Sequence, residues 1–240
     1  MTPKIRSFSG AALMLVIIPI IAGLLACMPV PIGDPERSRI DPGLNGVWLL
    51  AEGDNIDMYQ FLPWDKRSWL VMGTEIEAGD EFEGELPEIE TPEDFAAALE
   101  NLSIGKDGIT ARSVIIYKAW LAKIGGEKFM TWEMTGLGNE KGRIPPEYWL
   151  VFKLEKVSAD EYQLFMLNGE FDGFADIPTH KEYEGDDYVA DYRRAYERVI
   201  KRNLNDEDLI SDEAVFTLQR LPASASEPAL ELFEEVIEFE

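Results

Sequence analysis

Two consecutive glycines, Gly125-Gly126, stand between ARSVIIYKAWLAKI (111–124) and EKFMTWEM (127–134), both rich in β-branched and aromatic residues. A two-residue glycine turn admits the positive φ values that a tight hairpin needs, so the two runs are predicted to pair as antiparallel neighbours. The pattern recurs along the chain. GVWLLAE (46–52) and DMYQFLP (57–63) flank Gly53-Asp54-Asn55, and SWLVMGTEI (68–76) follows Asp65-Lys66-Arg67. YWLVFKLEKV (148–157) and EYQLFML (161–167) flank Ser158-Ala159-Asp160, and AVFTLQRL (214–221) reads as an eighth strand. Strands joined by such short turns must pair antiparallel with their sequence neighbours. The expectation is therefore a mainly β fold, an eight-stranded antiparallel up-and-down barrel. Closure removes unpaired edges without long crossovers, which favours a barrel over a two-layer sandwich.

Two or three short helices accompany the strands. TPEDFAAALENL opens at Thr91 with an N-cap, proline at the first helical position and acids in the first turn. DDYVADYRRAYERVIKRN (186–203) sets Tyr188, Tyr192, Tyr196 and Val199 on one face, with an acidic start and a basic end that suit the helix dipole. SEPALELFEEVIEFE reads as a short acidic helix or a frayed tail, within a C-terminal segment of residues 222–240.

The chain's one cysteine, Cys27, closes an apolar run from Ala11 to Ala26 that follows Lys4 and Arg6. A basic n-region, a short apolar core broken by Pro19 and a small residue at Ala26 describe a leader rather than a membrane span. Leu24-Leu25-Ala26-Cys27 resembles the lipobox of bacterial lipoprotein precursors. That resemblance implies cleavage between Ala26 and Cys27, acylation (palmitate among the chains) of Cys27, and residues 1–26 as signal peptide. An ordinary signal peptide with an incidental cysteine and an uncleaved anchor helix are the competing readings. Met28 stands where an inner-membrane retention signal would have aspartate, so the resemblance implies a cell-envelope protein at the outer membrane, facing the periplasm. Residues 27–43, with Pro29, Pro31, Pro35 and Pro42, read as an extended tether reaching on the order of 50 Å.

The charge is −24, and loss of the leader's two basic residues makes it −26. Such a balance repels phosphates and excludes nucleic acid as a partner. Residues 75–94 hold ten carboxylates and no base, a solvated loop by composition; no EF-hand spacing supports calcium there. Enzyme chemistry finds little to use. There is one histidine, His180, beside Asp176, Glu182 and Glu184, and no nucleophile elbow, Walker loop or zinc spacing. The expectation is no catalytic residues, no metal ligands and no cofactor.

Residues 44–221 form the expected barrel domain. Gly46-Val47-Trp48, at the start of the first strand after a proline-rich leader, resembles the G-x-W of lipocalins and other calycin-like barrels. The resemblance implies that Trp48 packs at the closed end beneath an arginine of the last strand, here Arg220. The family's Thr-Asp-Tyr motif is absent. Alternation places Leu70, Met72 and Ile76 on one face, as it does Met130, Trp132 and Met134, and Leu150, Phe152 and Leu154. Met72, Met130, Trp132, Met134, Phe152 and Met166 are the candidate lining of an apolar ligand cavity, since methionine adapts to irregular contents. The first functional expectation is thus a membrane-tethered, non-catalytic lipoprotein whose barrel binds an apolar or lipid-like ligand. The alternative is a structural or assembly lipoprotein that engages another envelope protein through its surface. For that alternative, Arg194, Arg198, Lys201 and Arg202, with Arg193 at the edge, are the chain's one dense basic patch.

Overall fold

The structure is a computed structural model that describes residues 27–52, 55–84, 86–137, 149–178 and 188–238. Its strands are β1 (Cys27–Met28), β2 (Gly46–Glu52), β3 (Asn55–Pro63), β4 (Ser68–Ala78), β5 (Ile109–Ala111), β6 (Ile115–Ile124), β7 (Glu127–Leu137), β8 (Trp149–Lys156), β9 (Glu161–Met166) and β10 (Phe216–Arg220). Three helices join them, α1 (Pro92–Asn101), α2 (Tyr188–Arg202) and α3 (Ala223–Glu238).

Eight strands close on themselves in the order β2, β3, β4, β6, β7, β8, β9, β10 and back to β2, every pair antiparallel. The up-and-down barrel expected from the turn chemistry is what forms. At Gly125 and Gly126 φ is +63° and +108°, values that residues with a Cβ resist, and Ile124 pairs directly with Glu127. The short β5 extends the ladder along β4, and β1 pairs with β8 outside the ring.

The barrel wall carries apolar side chains on both faces. Inside lies a cluster that includes Trp48, Phe61, Trp69, Met130, Trp132, Phe152, Tyr162 and Leu218. Outside β2, β3 and β4, Leu49, Met58 and Ile76 are covered by Phe95 and Ala98 of α1 and by Ala229, Leu232 and Phe233 of α3. The C-terminal segment is therefore a packed helix, not a frayed tail, because its apolar positions meet an apolar outer wall. Outside β6, β7 and β8, Ile124, Phe129 and Val151 are covered by Tyr192, Tyr196 and Ile200 of α2 and by Met28, Val30 and Ile32.

That last contact corrects the extended tether. Residues 27–44 run as a strap down the outer wall, with Met28, Val30, Ile32 and Leu44 at 2 % exposure or less. Cys27 pairs with Leu150 at the upper end of β8. Halfway down, the Ile32 carbonyl accepts from Trp120 Nε1 at 2.9 Å and Thr131 Oγ1 at 2.7 Å. Met28, Val30 and Ile32, buried against the outer wall, contribute about 1.5–3 kcal/mol each. The prolines that suggest a free linker also lower the unfolded chain's entropy, so ordering the strap costs less.

Candidate functional site

The interior is a stack of aromatic rings. Trp132 from the middle of β7 meets Tyr117 at 5.2 Å between centroids, Phe152 at 5.4 Å, Tyr59 at 5.5 Å, Phe61 at 6.0 Å and Phe216 at 6.2 Å. Phe61, Trp69, Met130, Phe152, Tyr162, Leu164 and Leu218 have no solvent-accessible surface, and Trp132 has 1 %. A side chain beside a water-sized void would keep some. The middle and lower interior is therefore filled to core density rather than hollow.

Of the six side chains expected to line a cavity, five do face inward. Met130, Trp132 and Phe152 are buried in this stack, and Met134 and Met166 are half-buried against it. Met72 is the exception: it packs outside, with the α1 and α3 cluster. On β4 the inward positions are Trp69 and Val71, followed by Gly73, over whose Cα the Tyr59 ring lies. Leu70, Met72 and Ile76 share a face, as alternation requires, but Met72 and Ile76 pack outside the barrel in the helix-covered cluster. With both faces of β4 buried, periodicity could not say which one was inside.

Trp48 and Arg220, paired from the sequence, meet at the lower end. The Arg220 guanidinium lies 4.1 Å from the Trp48 ring centroid, and Trp48 Nε1 donates to the Leu44 carbonyl at 2.8 Å. Arg220 also donates to the carbonyls of Asn45 (2.7 Å) and Gly43, and its Nε stands 3.2 Å from Asp160. Gly46 is required here: its φ is +126°, and a Cβ would come within 2.7 Å of Arg220 Nη1. The arrangement seals the lower end with hydrogen bonds and offers no reactive group.

Sequence reasoning missed a polar group in the upper barrel. Asp57 shares its face of β3 with Tyr59, next to Tyr117 of β6. Burial pushes the Tyr59 phenol well above its ordinary pKa, with Asp57 and Tyr117 adding to the shift. Burial, then the Asp57 charge, pushes Tyr117 up to about 12. Both are neutral at any physiological pH. Trp132 Nε1 and Tyr162 Oη are buried with no hydrogen-bond partner among the described residues.

The outer wall carries a groove where the strap, the β6–β7 turn and α2 meet. One part, about 370 Å³, lies between Gly33–Ser38 and α2; the adjoining part, about 630 Å³, runs beside Gly125 and the C-terminal half of α2. Arg194 and Arg198, taken from the sequence as a basic patch, line it, as do Arg193 and Lys201. Tyr192 and Tyr196 instead pack inward beneath α2, their rings 5.1 Å apart, so this part of the tyrosine stripe is a packing seam; the side chain of Tyr188 lies outside those described. The strap residues Asp34 and Arg37 form the far wall, which reading residues 27–43 as a free tether could not reveal.

The acidic stretch 75–94 is more ordered than its composition suggests. Ile89 is buried, Leu86 packs beside it, and Thr91 and Asp94 form a reciprocal capping box at the start of α1. Among the described residues no group of three or more His, Cys, Asp or Glu side chains stands close enough to hold a metal ion. His180, Glu182, Glu184 and Ala26 lie outside the described residues, as does the side chain of Cys27.

Together the ring closure, aromatic interior and helix-covered wall define a closed, filled, eight-stranded up-and-down barrel. No protein-family model, curated protein or solved structure matches the chain.

Proposed function

We propose that the protein is a lipid-anchored, non-catalytic barrel of a bacterial cell envelope that acts through its outer surface, as a structural or assembly component. The observation that carries this reading is the filled interior around Trp132, which leaves the middle of the barrel no room for a ligand. Acylation at Cys27, after cleavage behind Ala26, supplies the membrane attachment, and the absence of aspartate at position 28 favours the outer membrane, facing the periplasm. The upper end supports a second reading. There Tyr59, Met134, Met166 and Phe216 keep some accessible surface, which suits a small apolar ligand at the rim.

Native mass spectrometry of residues 28–240 after incubation with a total lipid extract separates the two. A bare polypeptide is expected. A stoichiometric apolar adduct, released on denaturation, overturns the surface-acting reading in favour of a carrier. Labelled palmitate should enter the full-length protein and fail to enter Cys27→Ala; equal labelling would remove the anchor.

A further inference from the structure

We propose that the groove between the strap, the β6–β7 turn and α2 docks an acidic segment of a partner protein, an inference that rests on the surface-acting reading above. The groove is lined by the cations Arg37, Lys123, Arg193, Arg194, Arg198 and Lys201 and by three carboxylates, Asp34, Asp191 and Glu197. That is a local balance of +3 in a chain of −24.

The carboxylates are already engaged. Asp34 stands 3.6 Å from both Arg37 and Arg193, Asp191 holds Arg194 at 2.6 Å, and Glu197 accepts the Gly33 amide at 3.0 Å. The surplus falls on Lys123, Arg198 and Lys201, none of which has a carboxylate within ion-pair distance among the described residues. All three are exposed. The Nε of Arg198 is spent on the Arg194 carbonyl at 3.2 Å, leaving the outer guanidinium nitrogens for a ligand. Arg194, Arg198 and Lys201 recur at four and three residues on one helical face, a line about 10 Å long. Alternate side chains of an extended peptide recur about every 7 Å, so acidic side chains at alternate positions of one strand fall within reach of that line.

Shape and charge favour a peptide over a bilayer. The groove is concave and walled on both sides, whereas an anionic membrane is flat and would meet the acidic remainder of the surface. A chain in the groove feels mainly the local cations, because charges beyond about 8 Å are screened at physiological salt. Between the cations, Leu121, Ala122 and Ile124 supply apolar floor. The matching sequence chemistry is acidic residues alternating with apolar ones.

Fluorescence anisotropy with a labelled decapeptide of alternating glutamate and leucine tests this on residues 28–240. The expected result is saturable binding, weakened about tenfold in Arg194→Gln/Arg198→Gln and weakened again between about 0.05 and 0.5 M NaCl. Arg112→Gln, outside the groove beside β5 and paired with Glu75, should bind as the parent does. Unchanged melting of the double variant shows that the loss is not unfolding. No saturable binding below about 1 mM, equal binding by the double variant, or equal binding of a control decapeptide of alternating lysine and leucine would each overturn the proposal. So would preferential binding to phosphatidylglycerol vesicles, or self-association that the double substitution abolishes. A bare interior in native mass spectrometry alongside any of these sinks only the groove; an apolar adduct sinks the surface-acting reading itself.

Discussion

The guanidinium of Arg220, from the last barrel strand, lies 4.1 Å from the ring centroid of Trp48, from the first. The two strands share only a short ladder, Gln219 with Leu49 and Arg220 with Trp48, so this contact reinforces the seam where the barrel closes. Arg220→Ala removes the cation–π contact and leaves the carbonyls of Gly43 and Asn45 without their charged donor. The expected loss is about 2–4 kcal/mol in urea unfolding. Arg220→Lys keeps the charge but cannot fork to both carbonyls, and should lose about half as much.

The docked strap predicts local protection far from the N-terminus. Ile32→Ala should weaken the docking of the strap by about 2–4 kcal/mol while leaving the ring of strands closed. Hydrogen exchange shows whether it does. The amides of Gly33 and Leu121, bonded to Glu197 Oε1 and Ser38 Oγ, should exchange much faster in the variant, while those of the β3–β4 ladder are unchanged. Uniform acceleration would mean that the strap is not a separate unit.

Alkali should destabilise the barrel through its interior. Tyr117 has a folded pKa of about 12, above its unfolded value of 10.0. Between those values the unfolded chain releases a proton that the folded chain keeps. The stabilisation is complete below pH 10 and is lost as pH rises toward 12, by about 2–3 kcal/mol for this residue. Tyr59 shifts in the same direction. Urea midpoints followed against pH should fall less steeply for Tyr117→Phe, and tyrosinate absorbance should appear late for the buried phenols. Equal slopes for parent and variant would show that Tyr117 titrates normally.

Helix α1 depends on a cap that the sequence displays. The Thr91 hydroxyl accepts from the Asp94 amide at 3.2 Å, and the Asp94 carboxylate accepts from the Thr91 amide at 3.0 Å. Thr91→Ala should cost about 1 kcal/mol, measured as a lower urea midpoint with unchanged slope. Thr91→Ser should restore most of it.

Much of the barrel was legible because its turns are chemically explicit. The glycine pair at 125–126 and the polar turns at 65–67 and 158–160 implied strand order, and closure followed from the need to leave no unpaired edge. The cap at Thr91 and the seam through Tyr192 and Tyr196 likewise located two helices. Position relative to the wall was less legible. Met72 and Ile76 read as inward because one apolar face was expected, whereas α1 and α3 give the wall two. Met28, Val30 and Ile32 alternate with prolines, and nothing local reveals that an apolar wall 90 residues further on awaits them. Trp132 was found by alternation, but its role as the hub of a filled interior depends on five rings from four other strands. The groove was half legible: α2 displayed its cations, while the opposite wall depended on where the strap lies.

The strap also sets an order of events. The Gly33 amide meets Glu197 across 164 residues, so the first part of the domain in sequence is among the last to find its place. Until β6, β7, β8 and α2 have assembled, that segment is a loose leash, and a chain held at Cys27 folds some distance from its anchor. Docking then shortens the leash and sets the upper rim of β8 beside Cys27, the proposed attachment point. For a chain so anchored, completion of folding is a mechanical act that draws the barrel toward the bilayer and gives it a fixed standing height.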